Sequence, residues 1–167
     1  MHNKKITLNE AFALGLKNHQ LNKFKDAEKF YKYILKKAPK HFGSVFYLGT
    51  LFLQTNKFGL AKRLLQKAIQ IKPDFVEAYN NLGATLKGLG EYHEAVKYFQ
   101  KAIEIKPEYV DAYSNLGAVF NILGEYKQAQ MYLEKAIQIQ PDFLSSYKNL
   151  QLDFFLPLNQ PLKMHSR

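Results

Sequence analysis

Four prolines set the period of this chain. Pro39, Pro73, Pro107 and Pro141 stand 34 positions apart, and the residues around them recur with them. Residues 76–109 read VEAYNNLGATLKGLGEYHEAVKYFQKAIEIKPEY and align without a gap on residues 110–143, VDAYSNLGAVFNILGEYKQAQMYLEKAIQIQPDF. Residues 42–75 end in QKAIQIKPDF and residues 8–41 in KYILKKAPKH. A fixed period of this size means a stack of small units, each burying its apolar face against its neighbours.

Each unit reads as two helices, A and B. Thr7-Leu8-Asn9-Glu10 is a capping box, and Ala11, Leu14, Gly15 and Leu21 follow at helical spacing. The fifteenth position of each unit holds Asn22, Asn56, Gly90 or Gly124. All four tolerate the left-handed backbone that ends a helix. Helix B then starts near Phe24, Phe58, Tyr92 and Tyr126. Gly15, Gly49, Gly83 and Gly117 fall inside helix A, where glycine costs about 1 kcal/mol against alanine. Their recurrence implies close approach of helix B, with Ala27, Ala61, Ala95 and Ala129 as its small residues. Leu14, Leu48, Leu82, Leu116 and Leu150 from helix A, and Tyr31, Leu65, Phe99 and Leu133 from helix B, are the expected seam. Proline ends helix B because it disfavours helical angles in the residue before it.

Composition narrows the class. The chain has no cysteine, which excludes disulfides and thiolate metal sites and suits a reducing, cytoplasmic setting. No apolar run approaches the ~20 residues of a membrane helix. The net charge of +10 is uneven: residues 1–40 carry ten lysines against three acids, whereas residues 76–143 carry more acids than bases. A solvated lysine face accounts for this, and nucleic acid or membrane is not the expected partner. The alternative is polyanion binding through Lys23, Lys25, Lys29, Lys32 and Lys36. The five histidines are scattered, and no phosphate-loop, nucleophile-elbow or zinc-helix motif occurs. No catalytic residue, cofactor or metal is expected.

The recurring positions Tyr79, Leu82, Gly83, Leu86, Gly90, Tyr92, Ala95, Phe99, Ala102 and Pro107 resemble the tetratricopeptide repeat. The resemblance spans residues 8–156. It implies an all-α, right-handed superhelical solenoid: repeats 8–41, 42–75, 76–109 and 110–143, a closing helix at 144–156, and tails at 1–7 and 157–167. Repeat one departs from the pattern at Ala11, Asn18 and Lys37, as a polar terminal cap would. In this family helix A lines a concave face, helix B a convex one, and the usual role is binding peptides or proteins.

On that concave face, the sixth position gives Asn81, Asn115 and Asn149. Asparagine offers donor and acceptor together, so a ladder of them suits the backbone of an extended peptide. The ladder is similar to that of O-linked N-acetylglucosamine transferases, where such asparagines grip a substrate backbone. Glu77, Asn80, Asp111, Ser114 and Lys148 flank it; Phe12, Leu16, Phe46 and Tyr47 make the other end of the groove apolar. Inter-repeat packing is the competing role for the aromatics and for the asparagines. The cation set with which chaperone-binding relatives hold a C-terminal carboxylate is missing: Asn80, Ala84, Ser145 and Asn149 occupy its positions, with only Asn115 matching. The expected function is a non-enzymatic adaptor. The alternative is the recognition region of a glycosyltransferase-like enzyme without its catalytic domain. Self-association through the apolar end Phe154–Phe155–Leu156 is a further expectation.

Overall fold

A computed structural model describes residues 6–143 and 148–149. Eight helices account for most of them. They are α1 (Leu8–Gln20), α2 (Phe24–Lys37), α3 (Phe42–Gln54), α4 (Phe58–Ile71), α5 (Val76–Gly88), α6 (Tyr92–Ile105), α7 (Val110–Ile122) and α8 (Tyr126–Ile139). No strand occurs among the described residues. The architecture is an all-α solenoid of helix–turn–helix repeats. The chain divides into two compact units, residues 1–107 and 108–167. Lys148 and Asn149 are helical. The rest of the expected closing helix, with Leu150 and the apolar end, and the C-terminal tail lie outside the described residues.

Local chemistry sets each helix boundary. The Thr7 hydroxyl accepts the Glu10 backbone N–H at 3.2 Å, and the Glu10 carboxylate accepts the Thr7 N–H at 2.9 Å. The Thr7 N–H and the Thr7 hydroxyl, both donating to the Glu10 carboxylate, hold its carboxyl below its usual pKa. Between helices A and B the chain turns through Asn22 and Asn56 at φ 56°, Gly90 at φ 77° and Gly124 at φ 76°. That left-handed residue lets the next N–H reach back, as Lys23 does to the Asn18 carbonyl at 2.8 Å and Glu91 to that of Leu86 at 2.9 Å. Helix α3 is capped by His41, whose Nδ1 accepts the Ser44 N–H at 3.2 Å.

The glycines of helix A mark the closest approaches. A Cβ on Gly15 would sit 2.7 Å from the Tyr31 ring, one on Gly83 2.7 Å from that of Phe99, and one on Gly49 3.0 Å from Leu65. In the second unit Gly117 meets Leu133 in the same way. Tyr31, Leu65, Phe99 and Leu133 are all fully buried. The seam therefore forms as the spacing predicts, with one exception. Leu48, Leu82 and Leu116 are buried, but Leu14 is 39% exposed, and Leu21 is exposed too. Among the described residues no helix precedes α1, and only the stretch from Ile6, whose carbonyl accepts the Tyr33 hydroxyl at 3.4 Å, lies ahead of it.

Candidate functional site

In the first unit the three A helices lie side by side, α3 touching both α1 and α5. The face they share changes character along the row. Over α1 and α3 it is aromatic. The Phe12 ring packs 5.0 Å from His41, edge on, and 6.0 Å from Tyr47. Tyr47 also meets Phe46 at 5.2 Å and the buried Tyr31 at 6.3 Å. Phe46 packs 4.9 Å from Phe75 and is itself buried. A Cβ on Gly43 would stand 2.5 Å from the Phe12 ring, so this glycine is the notch that seats it. Packing within repeat two therefore takes up Phe46, contact with repeat two takes up much of Phe12, and Tyr47 stays partly exposed.

Two histidines belong to this cluster, a role their scattered positions did not reveal. The His19 Nε2 lies 2.7 Å from the Gln54 carboxamide oxygen, which only accepts, so Nε2 carries the proton. Its Nδ1 is then free to accept the Tyr31 hydroxyl at 3.3 Å. Burial, with Tyr47 nearby, pushes the Tyr31 hydroxyl pKa up and keeps it a donor. His19 thus ties repeat one to repeat two. Among the described residues no group of His, Asp and Glu is arranged to hold a metal ion.

On α5 the face becomes amide-lined. Asn80 is buried, and Asn81 is half-buried. The Asn81 Nδ2 donates to the Thr50 hydroxyl on α3 at 3.0 Å. Thr50 gives its own proton to the Phe46 carbonyl at 3.1 Å, so its oxygen must accept, and this fixes which end of the carboxamide faces it. The Asn81 Oδ1 is left without a partner among the described residues. The sequence signal for this bond is a hydroxyl at the ninth position of the preceding repeat.

The second unit repeats the device with other partners. The Asn149 Nδ2 donates to the Ser114 hydroxyl at 3.2 Å and to its carbonyl at 3.4 Å. A carbonyl accepts only, so the Asn149 Oδ1 again points away, with no described partner. Ser114 is buried beneath it, and Asn115 is half-buried. Asn121 donates to the Asn149 backbone carbonyl at 3.0 Å, while its own Oδ1 is buried without a partner among the described residues. Lys148 and Asp111 are exposed. Local desolvation still raises the Asp111 carboxyl pKa, although the residue as a whole remains open.

Charge completes the first unit. Lys62 on α4 is paired with Glu91 at 2.6 Å across a repeat boundary. Glu77 and Lys87, at the two ends of α5, are half-buried and pair with no described residue. Burial alone lowers the Lys87 pKa. Clefts lie elsewhere as well. One of about 480 Å³ is lined by Ile6, Glu10, Ala13 and Leu14, and one of about 320 Å³ by residues including Tyr113, Met131 and Tyr132. Neither set includes a ladder asparagine. No helix among the described residues is long and apolar enough to cross a membrane.

Residues 74–142 match the family described as tetratricopeptide repeat, and residues 49–90 match the related TPR repeat description. No curated protein sequence matches significantly. Among solved structures, the chain is similar to MamA at 30% identity and a TM-score of 0.76, over 85% of this chain and 83% of that one. It is similar in fold to YrrB, described as a TPR protein with an unusual peptide-binding site. There the identity is 24%, the TM-score 0.78, and the coverage 87% of this chain and 75% of YrrB. It is also similar in fold to an O-GlcNAc transferase from Thermobaculum terrenum: 20% identity, TM-score 0.74, 78% of this chain and 26% of that one.

Proposed function

Because the chain belongs to the tetratricopeptide-repeat family, we propose that it is a protein-binding adaptor that holds an extended segment of a partner across its A helices. The observation that carries this reading is the state of the ladder amides. Asn81 and Asn149 each spend the NH₂ group on the preceding A helix and keep the oxygen unpaired among the described residues. A carboxamide fixed in this way is a preorganised acceptor for a peptide N–H, with its rotamer entropy already lost in the free protein. The sequence suggested asparagines that both donate and accept. At Asn81 and at Asn149 the geometry favours an acceptor. Phe46, Asn80 and Ser114, being buried, support the face from below. Tyr47, Phe12, Glu77, Asp111 and Lys148 are the side chains left to meet the partner's side chains.

The test uses peptides selected from a displayed random library on the full chain. Their affinity is then measured by calorimetry against wild type and against Asn81→Ala/Asn115→Ala/Asn149→Ala. Each lost hydrogen bond weakens binding by about 0.5–1.5 kcal/mol, so the triple variant should bind at least ~10-fold more weakly. Unchanged affinity removes the ladder from the mechanism.

A further inference from the structure

Among the described A helices, α5 alone carries opposite charges at the second and twelfth positions of its repeat. Those positions hold Glu77 and Lys87 on α5, Asn9 and His19 on α1, Gly43 and Leu53 on α3, and Asp111 and Asn121 on α7. Both α5 charges are half-buried, and neither has an ion-pair or hydrogen-bond partner among the described residues. The contrast is Lys62, with a side chain about one-third exposed, which has Glu91 at 2.6 Å. Acid at the start of a helix and base at its end also suit the macrodipole. That benefit needs no burial, however, and would be had equally on the outward face. Burial of Lys87 without a counter-charge is a cost in the free protein, visible as its lowered pKa.

Asn81 lies between the two charges. Along the helix it is ~6 Å beyond Glu77 and ~9 Å before Lys87, at 1.5 Å per residue. Ala84, small and half-buried, keeps the ground between Asn81 and Lys87 low. An extended chain crossing α5 with a backbone N–H on the Asn81 oxygen sends successive side chains to opposite sides. One then points to the Glu77 end of the helix, the next to the Lys87 end.

We infer that the segment held over α5 carries a basic residue and an acidic residue side by side, the base meeting Glu77 and the acid meeting Lys87. This rests on the groove reading above and adds to it the chemistry of the partner. It differs from capture of a chain terminus, because the acid is a side chain within the segment and the pair has a fixed order.

The experiment is a selection of displayed random dodecapeptides on the full chain and on three variants: Glu77→Gln, Lys87→Met, and Glu77→Lys/Lys87→Glu. Wild type should enrich an adjacent base–acid pair in one order. Glu77→Gln should lose the enrichment of the base, and Lys87→Met that of the acid. The doubly reversed protein should enrich the pair in the opposite order, an outcome that a misfolded variant cannot mimic. Groove-dependent peptides without such a pair, or the same order on both proteins, overturn the inference and leave the groove reading standing. Peptides that bind Asn81→Ala/Asn115→Ala/Asn149→Ala as well as wild type overturn both.

Discussion

Position seven of helix A is leucine in the first repeat and in the third, yet Leu14 is 39% exposed and Leu82 is fully buried. Position six is Ala13 in one and Asn81 in the other, and positions two and twelve are Asn9 and His19 against Glu77 and Lys87. The skeleton is shared: the glycine against the aromatic of helix B is Gly15 on Tyr31 in one repeat and Gly83 on Phe99 in the other. The difference lies in what precedes each repeat. Repeat three has α3 and α4 before it, so its leucine is covered and its asparagine has Thr50 to hold. Among the described residues no helix precedes repeat one. Its inward-facing side chains turn to the next repeat instead, as Phe12 and His19 do toward Tyr47 and Gln54. Residues facing neighbours carry the stack, and a face is left open for binding only where another repeat has already taken over the packing.

The sharpest way to break this comparison is the core itself. Phe99→Ala should cost about 3–5 kcal/mol and Leu82→Ala about 2–5 kcal/mol, as buried truncations do, whereas Leu14→Ala should cost under ~1 kcal/mol. Denaturant titration followed by circular dichroism measures all three; equal losses for Leu14 and Leu82 would contradict the account. Next come the glycines. Gly83→Ala drives a methyl into the Phe99 ring and should destabilise by about 1–3 kcal/mol despite the better helix former. Gly59→Ala, in α4 with nothing within 4 Å, should be neutral or stabilising by up to ~1 kcal/mol. The same substitution is thus expected to have opposite signs. Gly90→Ala, at φ 77°, should cost about 1–2 kcal/mol, while Asn56→Gly should be near neutral.

The smallest effect is the most informative about the site. Burial depresses the Lys87 pKa in the folded chain, so at neutral pH the charged form subtracts from stability. That penalty is relieved as pH rises through the depressed pKa. Lys87→Met should therefore raise the denaturation midpoint slightly at pH 7, with the advantage shrinking in alkaline solution. A lower midpoint would mean that Lys87 has a counter-charge in the free protein.

Much of this was legible in the sequence. The period gave the helix pairs, and the fifteenth position gave the left-handed turn, because asparagine and glycine bear that conformation cheaply. The glycine–aromatic seam followed from a residue type that a helix interior otherwise resists. Leu14 was misjudged because periodicity describes an average repeat, whereas no described helix precedes α1 to cover it. The asparagines were legible as a row, but not which end of each amide is free. That depends on Thr50 and Ser114, residues of the preceding A helix whose own hydroxyl and carbonyl groups decide what remains. His19 and His41 gave no signal because their partners, Tyr31, Gln54 and Ser44, follow no motif.

The central claim is that the ladder amides accept backbone N–H groups from an extended partner. The direct measurement is an N-methyl scan of a selected peptide: each amide is methylated in turn and its affinity for the full chain is compared with that for Asn81→Ala. The account predicts that one methylation weakens binding to wild type by about 5–10-fold, the cost of one hydrogen bond, and leaves binding to Asn81→Ala unchanged. A flat scan, or the same loss on both proteins, would contradict it.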